Sequence, residues 1–285
     1  MERFTSAMIQ AQAPKPAMLS ELSRKELKVV AIVQTRMASS RLPGKVLADI
    51  GGQPMLVRVV ERARRARLLA KLVVATSTDS DDDPIAAVCA ERGYDCHRGD
   101  PLDVLDRYVQ TARRFEAEVI VRLTGDCPLI DPEVIDRTMA AFLEANPPVD
   151  FAANRLPGRR SSPIGLDTEV CSMAALERAW READQAYQRE HVMPYLYVEP
   201  GRFRTLLVWD DKDYSHHRWT VDTPEDLELV RQVYNHFDGR DTFSWKEVLD
   251  LVEREPWLAN INADVKHRAE FDVDTRWGGR NQGAD

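Results

Sequence analysis

The sequence contains few cysteines, and their spacing excludes the common uses of paired thiols. Four occur among 285 residues, and no two of them form a C-x-x-C pair. This spacing matches neither a zinc knuckle nor a thioredoxin motif. Because each thiol lies in or beside an apolar segment, we predict reduced cysteines that pack as small hydrophobic groups. The four are Cys89, Cys96, Cys127 and Cys171.

The chain also lacks a long apolar run and an excess of positive charge. No stretch approaches the roughly 18 apolar residues that span a bilayer, and residues 1–28 contain no compact apolar segment of signal-peptide type. The 39 Lys and Arg residues against 47 Asp and Glu give a net charge of −8, which argues against coating of a nucleic-acid backbone. We therefore expect a cytoplasmic globular protein with no membrane or nucleic-acid partner. Its 44% hydrophobic content is enough for a sizeable core.

Hydrophobic periodicity predicts alternating strands and helices over residues 28–145. Apolar runs rich in β-branched residues predict buried strands at 29–33, 72–76 and 119–123, and helical patterns lie between them. Strict alternation is typical of a mainly parallel sheet covered by helices on both faces. In such sheets ligands bind at the carboxyl ends of the strands.

The pattern becomes mixed after the two prolines at 147 and 148. Short strands are predicted at 151–153, 169–171 and 203–209, with helices at 174–183 and 189–197 between them. Residues 218–222 are predicted to form a further strand that ends in an acid. We predict one α/β domain over 28–265. The predicted divisions are a disordered extension at 1–27, a first half at 28–145, a second half at 146–265 and a flexible tail at 266–285.

A basic loop follows the first predicted strand. It reads Gln34-Thr35-Arg36-Met37-Ala38-Ser39-Ser40-Arg41-Leu42-Pro43-Gly44-Lys45. Its three cations, serines and backbone N–H groups can surround a phosphate. The loop is not a Walker A motif, because Ser39 stands where the first glycine is required and Val46 where Ser or Thr should hold magnesium. A solvated basic loop is the alternative interpretation.

Two acidic residues are expected to meet at one edge of the sheet. Gly125 permits a sharp turn that delivers Asp126 to the carboxyl edge. Asp222 ends the predicted strand at 218–222, although an acid in that position can also be merely solvated. Two carboxylates suit Mg²⁺, whose remaining ligands are phosphates and water. The sequence therefore predicts a magnesium site at Asp126 and Asp222.

Other acidic residues have simpler structural explanations. Asp131 precedes a proline and a glutamate, which is typical of a helix N-cap, and Thr223 and Asp226 have the spacing of a capping pair. The acidic run at 79–83 fails as an EF-hand because Pro84 stands at the position that requires glycine. None of these segments predicts a metal site.

Three ordered motifs together resemble the cytidylyltransferase family, whose members activate acidic sugars as CMP conjugates. They are the Arg-Leu-Pro-Gly-Lys end of the basic loop, the Gly125-Asp126-x-Pro-Leu turn and the segment Val221-Asp222-Thr-Pro-Glu-Asp-Leu. Within the family, the chain is most similar to the spore coat polysaccharide biosynthesis protein F branch. The resemblance covers about residues 28–240.

The resemblance implies a nucleotide-diphospho-sugar transferase type of fold. This is a mainly parallel three-layer α/β/α sheet with a small mixed lobe for the acceptor and for dimerisation. Family members use CTP and Mg²⁺ and are commonly dimeric, so a homodimer is implied, with a nucleotide half at 28–145 and an acceptor half at 146–265. The implied catalytic residues are Arg36, Lys45, Asp126 and Asp222, of which Asp126 and Asp222 bind the metal. The implied nucleotide contacts are Gln34, Arg36, Ser39, Arg41, Gly44, Lys45, Thr76 and Asp79.

The acceptor is not identified by the sequence. Asp167 and Glu169 share one face of a strand, which allows contacts with sugar hydroxyls but also describes ordinary solvent-facing acids. Family members that make CMP-ketodeoxyoctonate usually carry a Gln-Gly-Asp turn, whereas Thr124 precedes the Gly-Asp pair here. The candidate substrate-binding residues are Asp103, Arg107, Asp167, Glu169, Glu190 and His191.

The expected reaction is transfer of CMP from CTP to an acidic sugar or related acceptor, with release of pyrophosphate, for surface polysaccharide biosynthesis. Two alternatives are open: a glycosyltransferase of the same fold that uses a sugar nucleotide, and a non-catalytic nucleotide-binding subunit. The basic loop disfavours the first, because a glycosyltransferase has no triphosphate to bind. The intact Lys45, Asp126 and Asp222 disfavour the second.

Overall fold

The computed structural model describes residues 8–12, as backbone only, together with residues 27–266 and 271–277. The strands, in chain order, are β1 Met8–Gln12, β2 Val29–Gln34, β3 Asp49–Ile50, β4 Gln53–Pro54, β5 Lys71–Ser77, β6 Cys96–Gly99, β7 Val119–Thr124, β8 Phe151–Ala153, β9 Arg155–Leu156, β10 Arg159–Arg160, β11 Glu169–Ser172 and β12 Thr205–Trp209. The helices are α1 Met55–Ala63, α2 Asp83–Arg92, α3 Val104–Arg114, α4 Pro132–Leu143, α5 Met173–Glu182, α6 Ala186–His191, α7 Pro194–Tyr197, α8 Pro224–His236, α9 Trp245–Arg254 and α10 Trp257–Asn260.

Eight of these strands form one sheet in the order β1-β12-β8-β11-β7-β2-β5-β6. Neighbouring strands run parallel except where β11 is antiparallel to both β7 and β8. The predicted first half supplies β2, β5, β6 and β7, and the predicted second half supplies β8, β11 and β12. The two halves therefore share one continuous sheet. The short pairs β3-β4 and β9-β10 lie outside it.

The side chains of β2 pack alternately into two cores on opposite faces of the sheet. Val29, Ala31 and Val33 belong to one core, together with side chains of α1, α4, α8 and α9. Val30 and Ile32 belong to the other, with side chains of α3, α5 and α7. A strand buried on both faces is continuously apolar because successive side chains point to opposite faces. The predicted three-layer α/β/α arrangement is confirmed.

Two predicted elements of the second half differ from the structure. Residues 218–222 are not a strand, because their only ladder contact among the described residues is a single bridge between Arg218 and Ile164. The helical pattern at 189–197 divides into α6 and α7. The division lies at Val192, whose φ is 72°, and Pro194 begins α7 because it has no N–H to continue α6.

The predicted disordered ends are corrected where the structure describes them. Residues 8–12 form β1, which pairs in parallel with the backbone of β12, so this part of the predicted extension is ordered. Residues 271–277 pack against the basic loop instead of forming a free tail. The rest of the two predictions lies outside the described residues, apart from the exposed residues 27 and 266.

The structure also bears on the features that the sequence lacks. All four cysteines are free thiols, and three of them are buried, as the sequence predicts. Within residues 8–12, 27–266 and 271–277, no helix combines the length and the apolar character needed to cross a bilayer.

Candidate active site

Gly44 sets the shape of the basic loop that follows β2. Its φ of 72° is left-handed, and its N–H donates to the carbonyl of Met37 at 3.0 Å, so the loop turns back on itself. A single turn of 3-10 helix follows at Lys45–Leu47. This turn buries Lys45, which is only 7% exposed, and directs its ammonium group toward the edge of the sheet.

The Lys45 ammonium joins the two predicted metal ligands. Its Nζ lies 2.9 Å from Oδ2 of Asp126 and 2.9 Å from Oδ1 of Asp222. The third contact is with the carbonyl of Val221 at 2.7 Å. These three acceptors use the three donors of the ammonium group. The structure therefore brings the two carboxylates together with the lysine, in segments far apart in the sequence.

Backbone contacts hold the two acidic segments side by side. The N–H of Gly125 donates to the carbonyl of Gln34 at 2.8 Å, and a Cβ at Gly125 would lie 2.7 Å from Oγ1 of Thr35. The N–H of Val221 donates to the carbonyl of Asp126 at 2.8 Å. Asp222 therefore lies in a loop and not at the end of a strand, and this hydrogen bond holds the loop beside Asp126.

Asp222 is surrounded by cations. Its Oδ2 lies 2.8 Å from Arg41 and 2.8 Å from Arg218, in addition to the contact of Oδ1 with Lys45. Burial alone would raise the pKa of Asp222, but these three cations, Lys45 first, hold the pKa well below its usual range. Burial alone would lower the pKa of the Lys45 ammonium, but the negative charges of Asp126 and Asp222 outweigh burial and raise that pKa. Asp222 and Lys45 are therefore both ionised at neutral pH.

Arg218 is a site residue that the sequence reasoning missed. Its guanidinium bridges Asp222 and the fully buried Asp226, with Nε 2.9 Å from Oδ1 of Asp226. Asp226 also accepts from the backbone N–H of Asp222, at 2.9 Å, and caps α8 with Thr223, as predicted. No sequence pattern indicates this role, because an i, i+4 pair is expected to interact in a helix and the segment is not helical.

The donor set fits a magnesium ion only in part. Asp126 and Asp222 supply two hard carboxylate oxygens, with side chains 29% and 18% exposed, and Mg²⁺ commonly binds one or two carboxylates with phosphates and water. In the described parts of the chain, no group of three or more His, Cys, Asp or Glu side chains could hold a metal. The Lys45 ammonium lies between the two carboxylates, so a cation bound by both would require Lys45 to move.

Arg36 lies at a second part of the site. Its guanidinium contacts Asp274 at 3.0 Å and Glu190 at 3.6 Å. Ser39 is partly exposed on the same loop. The Gln34 side chain accepts from Nε of Arg122 at 3.0 Å and so belongs to an interior network.

The two nucleoside candidates, one at the end of β5 and one just after it, differ in their surroundings. Thr76 is fully buried, and its hydroxyl donates to Oδ2 of Asp82 at 2.9 Å. Asp79 is partly exposed and lies 3.3 Å from Arg276. Asp79 is therefore accessible to a ligand at this edge, whereas the Thr76 side chain stabilises the turn that precedes α2.

Two of the acceptor candidates stabilise the start of α3. Asp103 is the N-cap, accepting from the N–H of Asp106 at 2.9 Å, and forms an ion pair with Arg189. Arg107 is 2% exposed and donates to the carbonyl of Asp100 at 2.6 Å. Both residues have contacts within the protein, and among the described residues neither contacts Lys45, Asp126 or Asp222.

Asp167 and Glu169 form ion pairs rather than facing solvent. Asp167 accepts two hydrogen bonds from Arg160, both at 2.9 Å. Glu169 is 1% exposed and pairs with Arg122, which is buried beside β2. The solvent-facing interpretation is therefore wrong for Glu169.

Glu190 and His191, at the end of α6, lie beside the basic loop. Glu190 accepts from the backbone N–H of Asp274 at 2.7 Å and faces Arg36. Nε2 of His191 lies 2.9 Å from the carbonyl of Asp272, and burial lowers the pKa of this histidine. Both residues contact the C-terminal segment at the Arg36 side of the site.

Comparison with known proteins identifies the family. A family model described as cytidylyltransferase matches residues 30–247, a range that contains Lys45, Asp126 and Asp222. The spore coat polysaccharide biosynthesis protein SpsF of Bacillus subtilis is 32% identical over 235 residues, which are 80% of this chain and 95% of that protein.

The chain is also similar to a sugar-acid enzyme and to a solved structure. The 3-deoxy-manno-octulosonate cytidylyltransferase of Geobacter sulfurreducens is 45% identical over 127 residues, which are 43% of this chain and 48% of that protein. The structure of a cytidylyltransferase from Leptospira borgpetersenii matches with a TM-score of 0.78 and 29% identity, covering 85% of this chain and 99% of that one. The family model spans well over half of the sequence and includes the clustered lysine and carboxylates. The chain therefore belongs to the cytidylyltransferase family.

Proposed function

We propose that the protein is an enzyme that transfers CMP from CTP to an acidic sugar, releasing pyrophosphate, in the biosynthesis of a surface polysaccharide. The observation that carries the proposal is the Lys45 ammonium held 2.9 Å from both Asp126 and Asp222 at the edge of the sheet. The Bacillus relative, which is named for polysaccharide biosynthesis, and the Geobacter relative, which is named for a sugar acid, support the pathway and the acceptor class.

The bond changes assign a role to the loop cations. A hydroxyl oxygen of the acceptor attacks the α-phosphorus of CTP, the bond to the bridging oxygen breaks, and pyrophosphate leaves as the hydroxyl loses its proton. Negative charge grows on the leaving group, so catalysis depends on fixed positive charge around it. Arg36, Arg41 and Lys45 provide that charge, Ser39 adds a hydroxyl donor, and Gly44 forms the turn that places them.

Asp126 and Asp222 are the residues that would hold Mg²⁺. Bound there with the nucleotide, the ion would neutralise phosphate charge and align the α-phosphorus for attack. In the structure, Lys45 forms ion pairs with both carboxylates. On nucleotide binding we expect the Lys45 ammonium to leave these carboxylates for the phosphates, which are the stronger anions.

The test measures pyrophosphate release from CTP with a panel of 2-keto sugar acids that includes 3-deoxy-manno-octulosonate. Asp126→Asn and Asp222→Asn are each expected to lower the rate by at least about 100-fold. The matched control is Asp264→Asn, which removes an exposed carboxylate outside the site. Full activity of Asp222→Asn, or activity unaffected by excess chelator, would refute the metal assignment.

The same assay separates the alternatives. A glycosyltransferase would release no pyrophosphate and would show thermal stabilisation by a sugar nucleotide rather than by CTP. A non-catalytic subunit would be stabilised by CTP without turnover with any acceptor.

A further inference from the structure

The C-terminal segment at residues 271–277 lies on the part of the site that contains Arg36. Asp274 contacts Arg36, Arg276 contacts Asp79, and the carbonyl of Asp272 contacts His191. The family resemblance implies that Arg36 and Asp79 are nucleotide contacts, and His191 is an acceptor candidate. The segment therefore covers residues from both proposed substrate positions.

Asp274 is the anchor of this segment. Its side chain is 16% exposed, while the neighbours at 272, 273, 275 and 276 are exposed. Its carboxylate lies 3.0 Å from Nη1 of Arg36, and its backbone N–H donates to Glu190 at 2.7 Å. Hydrogen bonds from Arg276, and then the charge of Arg36, hold the pKa of Asp274 at about 2, so the group is an anion at neutral pH.

The chemistry of Arg36 makes this contact competitive. A guanidinium binds carboxylates and phosphates through the same N–H donors. While Asp274 lies on Arg36, those donors are not fully available to a triphosphate. The side chain of Arg36 is 35% exposed and that of Arg276 is 45% exposed, so each pair is weak and can be displaced.

We propose that residues 271–277 act as an autoinhibitory strap, in which the Asp274 carboxylate occupies Arg36 in place of a substrate phosphate and is released when the nucleotide binds. The proposal deepens the proposed function, on which it rests, by adding a regulation of the same site. The alternative is a strap that completes the site after the substrates have bound. The two predict opposite effects of removing the Asp274 charge.

The first test is anion binding by the full-length protein, with inorganic tripolyphosphate as the probe in metal-free buffer. Asp274→Asn is expected to bind tripolyphosphate about two- to fivefold more tightly than the wild type, because the competing ion pair is lost. The matched control is Asp272→Asn, which removes the same charge two residues away. The Asp272 carboxylate has no partner among the described residues. The affinity of Asp272→Asn for tripolyphosphate is therefore expected to stay at the wild-type value.

The second test is hydrogen exchange of the peptide that covers 271–277. Tripolyphosphate is expected to increase exchange in this peptide of the wild type, and Asp274→Asn is expected to show the faster exchange without any anion. Unchanged or weaker anion binding by Asp274→Asn overturns the strap, as does slower exchange on addition of the anion. Anion-driven release without turnover of CTP would refute the proposed function and leave the strap supported.

Discussion

The ammonium nitrogen of Lys45 lies 2.9 Å from Oδ1 of Asp222. The same nitrogen contacts Asp126 and the carbonyl of Val221. One buried cation therefore offsets the repulsion between the two carboxylates. These contacts hold the two carboxylates close together. It also has a lysine ready to exchange its carboxylate partners for phosphates.

Lys45→Met tests this central position. Without the ammonium, Asp126 loses its ion pair, Asp222 keeps only Arg41 and Arg218, and the triphosphate loses a cation, so we expect pyrophosphate release to fall by at least about 100-fold. The control is Lys246→Met, which removes an exposed lysine on α9 and is expected to keep wild-type rates. Thermal unfolding of both variants separates loss of chemistry from loss of fold. A Lys45→Met protein with wild-type turnover would contradict the assignment.

Asp222→Asn tests the charge balance of the site through pH. The folded pKa of Asp222 is depressed by Lys45, Arg41 and Arg218, so its ionised form stabilises the fold above the unfolded pKa of about 3.9, and this stability is lost as the pH falls through the folded pKa. We expect Asp222→Asn to lower the free energy of unfolding by about 2 kcal/mol at pH 6. The deficit should shrink as the pH falls below about 4.

Denaturant titrations between pH 6 and pH 3 measure this deficit. Asp264→Asn is the matched control, because its carboxylate is exposed and outside the cluster, and its difference from the wild type should be small and independent of pH. A deficit of Asp222→Asn that is equal at both ends of the range would show that the ionised carboxylate does not stabilise the fold.

Much of the fold can be predicted from the sequence because β2, β5 and β7 are continuous apolar runs separated by helical patterns. The proximity of Asp126 and Asp222 at one edge of the sheet could also be predicted, since each lies in a recognisable motif. The wrong strand at 218–222 has a physical cause. The apolar residues Trp219 and Val221 are buried, as in a strand, but their backbone is held by contacts with Ile164 and Asp126 that no local pattern encodes.

The surroundings of the remaining site residues could not be predicted, because they depend on ion pairs between residues far apart in the sequence. Glu169 and Arg122 are 47 positions apart and meet because β11 and β7 are neighbours, with Glu169 directly opposite Arg122 in the ladder. Asp274 meets Arg36 across 238 positions. Composition and periodicity carry no information on such pairs, so an acid on a strand face is predicted to be solvated when it is in fact buried.

Gly165→Ala tests how the loop that carries Asp222 is held in place. The φ of Gly165 is 108°, and a Cβ there would lie 2.6 Å from the backbone nitrogen of Thr220. Either the turn or the 219–220 backbone must move, so we expect a loss of about 3 kcal/mol in the free energy of unfolding. Gly201→Ala is the control. Its φ is 83° but nothing lies within 4 Å, so only the conformational cost of about 1 kcal/mol applies. Equal losses, measured by denaturant titration, would show that the close approach is unimportant.

Glu169→Ala distinguishes a structural role from acceptor binding. Glu169 is 1% exposed and pairs with the buried Arg122, so removing it leaves an uncompensated cation, and we expect a loss of about 3–5 kcal/mol in the free energy of unfolding. Replacing both members, as Arg122→Met with Glu169→Leu, removes the charge together with its partner and should recover most of that stability.

The acceptor KM of the double variant then decides between the roles. If the pair only stabilises the sheet, the double variant should recover the free energy of unfolding and keep an acceptor KM close to the wild-type value. The KM is measured by pyrophosphate release at saturating CTP. If Glu169 or Arg122 contacts the acceptor, stability recovers while KM rises by about tenfold or more, since a charge-assisted contact is lost. Arg155 also lies 3.7 Å from Glu169. Arg155→Met in the wild-type background therefore measures how much this second ion pair contributes to stability and to the acceptor KM.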